Sequence, residues 1–415
     1  MQKIIIIILL FILFAPTALA KQNDDNLKVA FIREQTIWIK TNKTEEKIVS
    51  SIGQNSYSPQ WSYDGKKLLY LKESGSLSAF NTPIYQLWVY DLESKKHQII
   101  SEDAQNPKWS PTENLIAFQT GGVLNISDLT NFFNITLGVS EFEWQPDGEG
   151  FILSSAASLL PTGWTHANLY TVSIAEGYQT GLLMEQVKLL YSLPNQVTNG
   201  HITVPSISAS TFSYSPDGRW ISFIITPTAS LSMDSNMLAV ISNDGQNFET
   251  VDEVILNLEE PKWARQKNLL GYIAGGGRIV FGFKNKDLKI KELPAFSIEL
   301  TPENHVDLGF SWINDHSLIT VRAHESDWSN EPTKRPPTHL MYIPLNGDEQ
   351  KVITKPPKGK SDRNPEYLPL INKLSWLRVD DFATSGDGDL WLSELDGTNA
   401  KVWINDVKQY TIFLQ

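Results

Sequence analysis

Tyr214-Ser215-Pro216-Asp217-Gly218-Arg219, followed by Trp220-Ile221-Ser222-Phe223, decides how this chain is read: an aromatic residue, a tight turn, then a short apolar strand. Pro presets φ at the second position of a type I turn, Asp bonds back to the main chain, and Gly takes the left-handed conformation that lets a hairpin close. The block recurs as Trp61-Ser62-Tyr63-Asp64-Gly65 before residues 67–71, as Trp109-Ser110-Pro111 before residues 115–118, and as Trp144-Gln145-Pro146-Asp147-Gly148 before residues 151–153. Weaker copies begin at Trp263, Trp312 and Tyr367. Where Gly is missing, Asn114, Asn268 and Asn372 are expected to supply the left-handed residue, since Asn tolerates it best after Gly.

Working outward, the aromatic residues stand at 61, 109, 144, 214, 263, 312 and 367, so successive gaps are 48, 35, 70, 49, 49 and 55. Such scatter suits propeller blades with variable loops and is too irregular for a solenoid. After each hairpin comes a second apolar strand, as in Leu87-Trp88-Val89-Tyr90 or Leu390-Trp391-Leu392, then a turn and a last short strand. Four strands, a to d, make a blade. Residues 29–49 hold three strands with Trp38 in the place of Trp88 and Trp391, but no aromatic hairpin, while residues 410–414 form one spare strand. The expected fold is therefore an all-β propeller of four-stranded blades, closed by pairing of the N- and C-terminal strands. The count is eight blades, or seven if the strands between Gly277 and Pro302 are divided differently.

These hairpins resemble the TolB-type, WD40-like (PD40) repeat over essentially all of residues 27–415. Similar propellers occur in TolB, in tricorn-like proteases and beside the catalytic domain of prolyl-oligopeptidase-type enzymes. The resemblance implies a propeller and suggests protein or peptide binding. Unlike TolB, the chain shows no separate α/β domain before its first strands, which makes a Tol–Pal role doubtful.

Composition narrows the partners. Formal net charge is 35 − 47 = −12, with no basic run, so the Lys/Arg stripe that neutralises phosphates is missing and no nucleic-acid partner is expected. The absence of Cys excludes disulfides and thiolate chemistry. Residues 1–20 read as a signal peptide: Lys3, an apolar run over 4–14, and Ala18-Leu19-Ala20 as the cleavage site, too short an apolar run to span a bilayer. A short tail, 21–26, precedes the propeller at 27–415. The mature protein is thus expected to be secreted, into a periplasm or cell-wall space, monomeric and without membrane insertion.

No Gly-x-Ser-x-Gly elbow and no His-Glu-x-x-His occurs. No cofactor and no metal ligand set is expected; the acidic stretch 380–389 lacks EF-hand spacing, leaving calcium there an open question. Gly275-Gly276-Gly277 reads as a tight b–c turn. The repeated Trp residues read as packing between blades. Long b–c loops at 73–84, 156–168, 227–235, 323–338 and 379–388 gather on one face, whereas a–b turns are short. Function concentrates on loops held by a rigid scaffold, and these carry Trp164, His166, Met233, Asp234, His324, Asp327, Trp328 and Arg335. The expected function is binding of a protein, peptide or cell-envelope component through this face, using Trp164, His166, Asp234, His324, Asp327, Trp328 and Arg335. The alternative is a propeller enzyme of polysaccharide lyase or hydrolase type, with converging His and carboxylates at the axis; aromatic and mixed polar groups there would favour binding.

Overall fold

Eight four-stranded antiparallel sheets form a ring, an eight-bladed β-propeller. The computed structural model describes residues 27–414 except 42–43, 54–56, 78–81, 175–185, 279–281, 295 and 381–386; the expected signal peptide 1–20, the tail 21–26 and most of the acidic stretch 380–389 lie outside the described residues. The innermost strands are Gln409–Phe413 in blade 1, Gln60–Trp61 in blade 2, Gln105–Trp109 in blade 3 and Glu141–Trp144 in blade 4. Blades 5 to 8 contribute Ser208–Tyr214, Lys262–Trp263, His305–Asn314 and Ser361–Leu368.

Blade 1 joins the two ends of the chain. Strands Lys28–Arg33, Thr36–Thr41 and Thr44–Val49 are its b, c and d strands, and Gln409–Phe413 is strand a, with Lys28 opposite Phe413 and Ile32 opposite Gln409. The interval between Trp144 and Tyr214 conceals no ninth blade. It holds a long c–d connection from Ser173 to Val187 and a hairpin, Gln196–Asn199 with Ile202–Pro205, whose Asn199 amide donates to Thr250 O and Val251 O of blade 5, 3.0 Å each. Long connections are thus not confined to one face.

The core lies between blades. One cluster combines Ala30, Ile32 and Ile37 of blade 1 with Leu68, Tyr70 and Tyr90 of blade 2; another combines Leu377 and Leu390 of blade 8 with Val29, Phe31 and Ile412 of blade 1. No blade buries both faces alone, so ring closure and stability are one event.

The repeated aromatic residue stitches these interfaces. The indole N–H of Trp61 donates to Thr411 O (3.3 Å), Trp109 to Gln60 O (3.1 Å), Trp144 to Lys108 O (3.3 Å), Trp263 to Ser213 O (3.1 Å) and Trp312 to Lys262 O (3.0 Å). Each acceptor is an inner-strand carbonyl of the preceding blade. The packing role expected for these residues therefore includes a directed hydrogen bond, worth about 1 kcal/mol net apiece.

The hairpin turns repeat in atomic detail. Ser62 Oγ and Ser215 Oγ donate to Asp64 and Asp217 (2.7 Å each), whose same oxygens accept Lys66 N and Arg219 N (3.0 Å each). Gly65, Gly148 and Gly218 have φ of +63°, +75° and +69°. Asn372 is left-handed too (φ +53°), but Asn114 and Asn268 are not among the left-handed residues. They stand one position beyond the glycines and do different work: their amides donate to Asp64 Oδ2 and Asp217 Oδ2 of the preceding blade, 2.8 Å each. Burial alone would raise the Asp217 carboxyl, yet the Arg219 N–H, the Asn268 amide and the Ser215 hydroxyl hold it well below the usual carboxylate range. Gly275 to Gly277 also departs from expectation. They open the connection from Ala274 to Asp287 and form no tight turn.

Two predictions follow from this architecture. Truncation after Lys408 removes strand a of blade 1 and exposes the clusters on both sides; differential scanning calorimetry should show a melting temperature lower by roughly 10 °C or more, and an unchanged melt would refute closure by this strand. In urea titrations Gly218→Val should cost on the order of 1–2 kcal/mol through backbone strain. Asn114→Val should cost about 1 kcal/mol by deleting the bond to Asp64, and that loss should vanish in an Asp64→Ala background.

Candidate functional site

Two surfaces could serve function: the face of long b–c loops and the axial chamber. In blade 4 the b–c loop is a small hairpin in which Leu159 lies opposite Trp164. Both are exposed, at 66% and 39%, as is Leu160 at 49%. In neighbouring blade 5 the loop carries the helical turn Ala229–Ser232, with Leu231 and Met233 exposed at 52% and 56%. The two loops are connected through the start of blade 5, since Ala157 N donates to Ile207 O and Ile207 N to Thr226 O. His166, also exposed, is held through Nδ1 to Leu193 O (2.6 Å), just beyond the outer strand of the same blade.

The loops of blades 5, 6 and 7 are fastened to one another. Asp234 takes a bidentate ion pair from Arg278 (2.7 and 3.0 Å), and its carbonyl accepts Gly277 N. Gly282–Phe283 pairs as a strand with Ser326–Asp327, Phe283 is buried, and Lys284 Nζ reaches Asp327 at 2.5 Å. Farther along the blade 7 loop, the Arg335 guanidinium lies 4.0 Å from the centroid of the Trp328 ring, while Arg335 Nε donates to Ser329 O and Trp328 Nε1 to Asn330 Oδ1. His324 is exposed and rests against His305, with ring centroids 4.4 Å apart. Thus Asp234 and Asp327 tie neighbouring loops together, Trp328 and Arg335 brace one loop internally, and Trp164 is the aromatic side chain of this set that faces solvent beside other apolar groups.

The second surface is a chamber of about 1090 Å³ on the axis. Pro111, Pro146 and Pro216 of the a–b turns line it, so it extends toward the face opposite the long loops. Its wall mixes aromatic rings with carboxylates, amides and cations. Two carboxylates are neutralised locally: Lys108 Nζ lies 2.7 Å from Glu143, and Lys262 Nζ 2.6 Å from Glu259. Gly309 gives Glu259 its room, since a Cβ there would stand 2.6 Å from Glu259 Oε2. Thr211, a β-branched wall residue with φ +57°, marks local strain at a bulge in the blade 5 inner strand. Among the described residues no group of three or more His, Asp or Glu could hold a metal ion.

Glu366 is the exceptional wall residue. It retains some accessible surface, yet protein encloses it, and among the described residues no hydrogen bond or ion pair reaches its carboxylate. Burial pushes this carboxyl up to about 7, against the pull of Lys262. The sequence held a signal for it: residues immediately before the repeated aromatics, Gln60, Lys108, Glu143, Ser213, Lys262, Ser311 and Glu366, occupy equivalent places around the axis.

No family model matches the chain, and no curated protein matches it either. Solved structures do. A eukaryotic initiation factor aligns with 14% identity and a TM-score of 0.58, over 94% of this chain and 88% of that one. Dihydro-heme d1 dehydrogenase NirN aligns with 13% identity and a TM-score of 0.57, over 94% and 76%. Dipeptidyl peptidase 4 of Porphyromonas gingivalis aligns with 10% identity and a TM-score of 0.57, over 93% of this chain and 59% of that chain. TolB from Acinetobacter baumannii aligns with 19% identity and a TM-score of 0.38, over 65% of this chain and 62% of that one. The chain therefore spans less than two thirds of the length of these last two proteins. The likeness is one of fold.

Glu366 generates a pH prediction. Its carboxyl ionises near 4.5 in the unfolded chain and near 7 in the folded one, so its favourable contribution is complete below 4.5 and is lost as pH rises through 7. Glu366→Gln removes this dependence. The variant should gain on the wild type by on the order of 1–3 kcal/mol between pH 4.5 and 8, read from urea titrations at both pH values. A difference independent of pH would refute the raised carboxyl.

Proposed function

We propose that the protein is an extracytoplasmic binding module that docks a protein, peptide or cell-envelope component through the long b–c loop face, centred on blades 4 and 5. The observation that carries this reading is the group of exposed apolar side chains on adjacent loops: Leu159, Leu160, Trp164, Leu231 and Met233. Isolated exposed apolar residues are ordinary on a soluble protein, but a local gathering on two loops marks an interaction surface. A Trp with few rotors to freeze, ringed by aliphatic groups, is the usual composition of a binding hot spot. The ion pairs and strand pairing that fasten the loops of blades 5 to 7 support a face held ready for a partner. The leader pattern in residues 1–20 supports an extracytoplasmic location.

The test uses the mature protein and the partner cross-linked to it in its own cell envelope. Trp164→Ala should weaken that complex by roughly 30-fold, the effect of a hot-spot residue, while leaving the melting temperature nearly unchanged. Lys66→Ala and Glu113→Ala, in the a–b turns of the opposite face, should leave affinity intact. Affinity that survives Trp164→Ala but fails in the turn variants would place docking on the other face.

A further inference from the structure

The axial chamber carries an inference that does not rest on the loop face. At three blade junctions the side chain just before the repeated aromatic reaches forward to an inner-strand carbonyl of the next blade: Gln60 Nε2 to Pro107 O (2.9 Å), Lys108 Nζ to Phe142 O (2.8 Å) and Lys262 Nζ to Phe310 O (3.1 Å). Both lysines also hold a carboxylate, Glu143 and Glu259. At the junctions of blades 3 with 4 and 6 with 7, an ammonium therefore sits between a carboxylate and a main-chain carbonyl.

The junction of blades 8 and 1 has the carboxylate without the ammonium. Glu366 occupies the position of Lys108 and Lys262. The acceptor of the Trp61 indole identifies Thr411 as the blade 1 counterpart of that position, so the carbonyl matching those of Phe142 and Phe310 is that of Tyr410. Lys262 is the cation whose charge Glu366 senses, and its Nζ is already committed to Glu259 and Phe310 O. The Tyr410 hydroxyl, beside Glu366, is turned to Asn364 O at 3.0 Å and is pushed up by burial, so it stays a neutral phenol. The remaining nearby cation, Arg265, lies over the Tyr367 ring at 5.5 Å. A deep carboxylate on a chamber wall is thus left without the counter-ion that Glu143 and Glu259 receive from the chain itself.

We propose that this junction is a recognition site for a primary ammonium group, which enters the chamber and takes, between the Glu366 carboxylate and the Tyr410 carbonyl, the place that Lys108 and Lys262 take at theirs. A peptide α-amine, a lysine side chain and a polyamine share this chemistry. The aromatic rings of Tyr367 and Tyr410 suit the alkyl part and the charge of such a ligand. Protons balance as follows: Glu366 is largely protonated below neutrality and gives its proton to solvent when the ammonium arrives, so one proton is released per ligand bound. Affinity then falls about tenfold per pH unit below the Glu366 ionisation near 7.

Isothermal titration calorimetry of the mature protein, in two buffers of different ionisation enthalpy at pH 5, 6 and 8, tests this with three probes: alanyl-alanine amide for the α-amine, Nα-acetyl-lysine methylamide for the side-chain amine, and spermidine. The expected result is binding of at least one probe with close to one proton released at pH 6 and about tenfold weaker binding at pH 5 than at pH 6; the tightest probe identifies the source. Glu366→Gln should lose at least about tenfold in affinity. Glu366→Lys, which supplies its own ammonium, should abolish binding and melt no lower than the wild type. Trp164→Ala should bind the probes normally, which separates failure of the loop-face reading from failure of this one. Absence of binding by all three probes overturns the proposal, as does binding without proton release at pH 6 or undiminished binding by Glu366→Gln. The proton count is read on the wild type, so the test stands even if a variant fails to fold.

Discussion

The hydrogen bond from a tryptophan indole to the inner-strand carbonyl of the preceding blade is the interaction on which the rest of this propeller depends. A four-stranded blade is too thin to bury both faces, so its stability comes from its neighbours. An indole fills that interface with a large apolar surface and adds a directed bond to an inner-strand carbonyl of the neighbouring blade. Five such bonds run in the same sense around the ring. The side chains one position earlier run in the opposite sense, from Gln60, Lys108 and Lys262 to the next blade. Together they fix inner-strand separation, and with it the width of the axial chamber.

Charge is handled differently at the two ends of the inner strands. Near their starts, blade 7 buries a whole ion pair and blade 8 a carboxylate under a half-buried arginine: Arg322 clasps Asp307 (3.0 and 2.7 Å), and Arg378 clasps Asp362 (2.7 and 2.9 Å). Asp307 also accepts the hydroxyls of Thr301 and Thr320, so its oxygens are satisfied although it is fully buried, the condition under which a buried pair is tolerated. On the chamber wall, Glu143 and Glu259 are paired but Glu366 is not. Glu260, also on the wall, is exposed to solvent, whereas protein encloses Glu366; an enclosed carboxylate without a partner is costly to the fold, and a cost borne at a concave site points to use. The chamber wall and the loop face thus differ in chemistry, one carrying an enclosed carboxylate and the other exposed apolar side chains, at different parts of one scaffold.

The repeat itself was legible in the residues. Trp-Ser-x-Asp-Gly before an apolar strand is a local signal, because turn geometry and hairpin closure are decided within six residues. In four clear and three weaker copies, with three strands to spare at one end and one at the other, the aromatic hairpin yields eight blades, or seven, and a shared first blade without any long-range information. The acidic balance and the lack of a basic stripe are likewise properties of composition alone. Local reasoning failed where function passes to a neighbour. Asn114 and Asn268 look like substitutes for glycine from within their own turns, and only the adjoining blade reveals Asp64 and Asp217 as their partners.

The sequence by itself determined the blade, its Asp-Gly turns and the closure of the ring, since each follows from periodicity and the chemistry of adjacent residues; it marked five long b–c loops but neither the connection from Ser173 to Val187 nor the one that Gly275 opens. Tertiary structure alone decided which side chains are free. Trp164 and Trp328 are indistinguishable as loop tryptophans, yet one stands exposed opposite Leu159 and the other lies beneath Arg335. Glu366 reads as an ordinary strand-end acid until the ring brings Lys262 near it, already engaged by Glu259. The physical reason is that pairing and desolvation depend on groups about fifty or a hundred residues away, or at the opposite end of the chain, and only closure of the ring sets their distances.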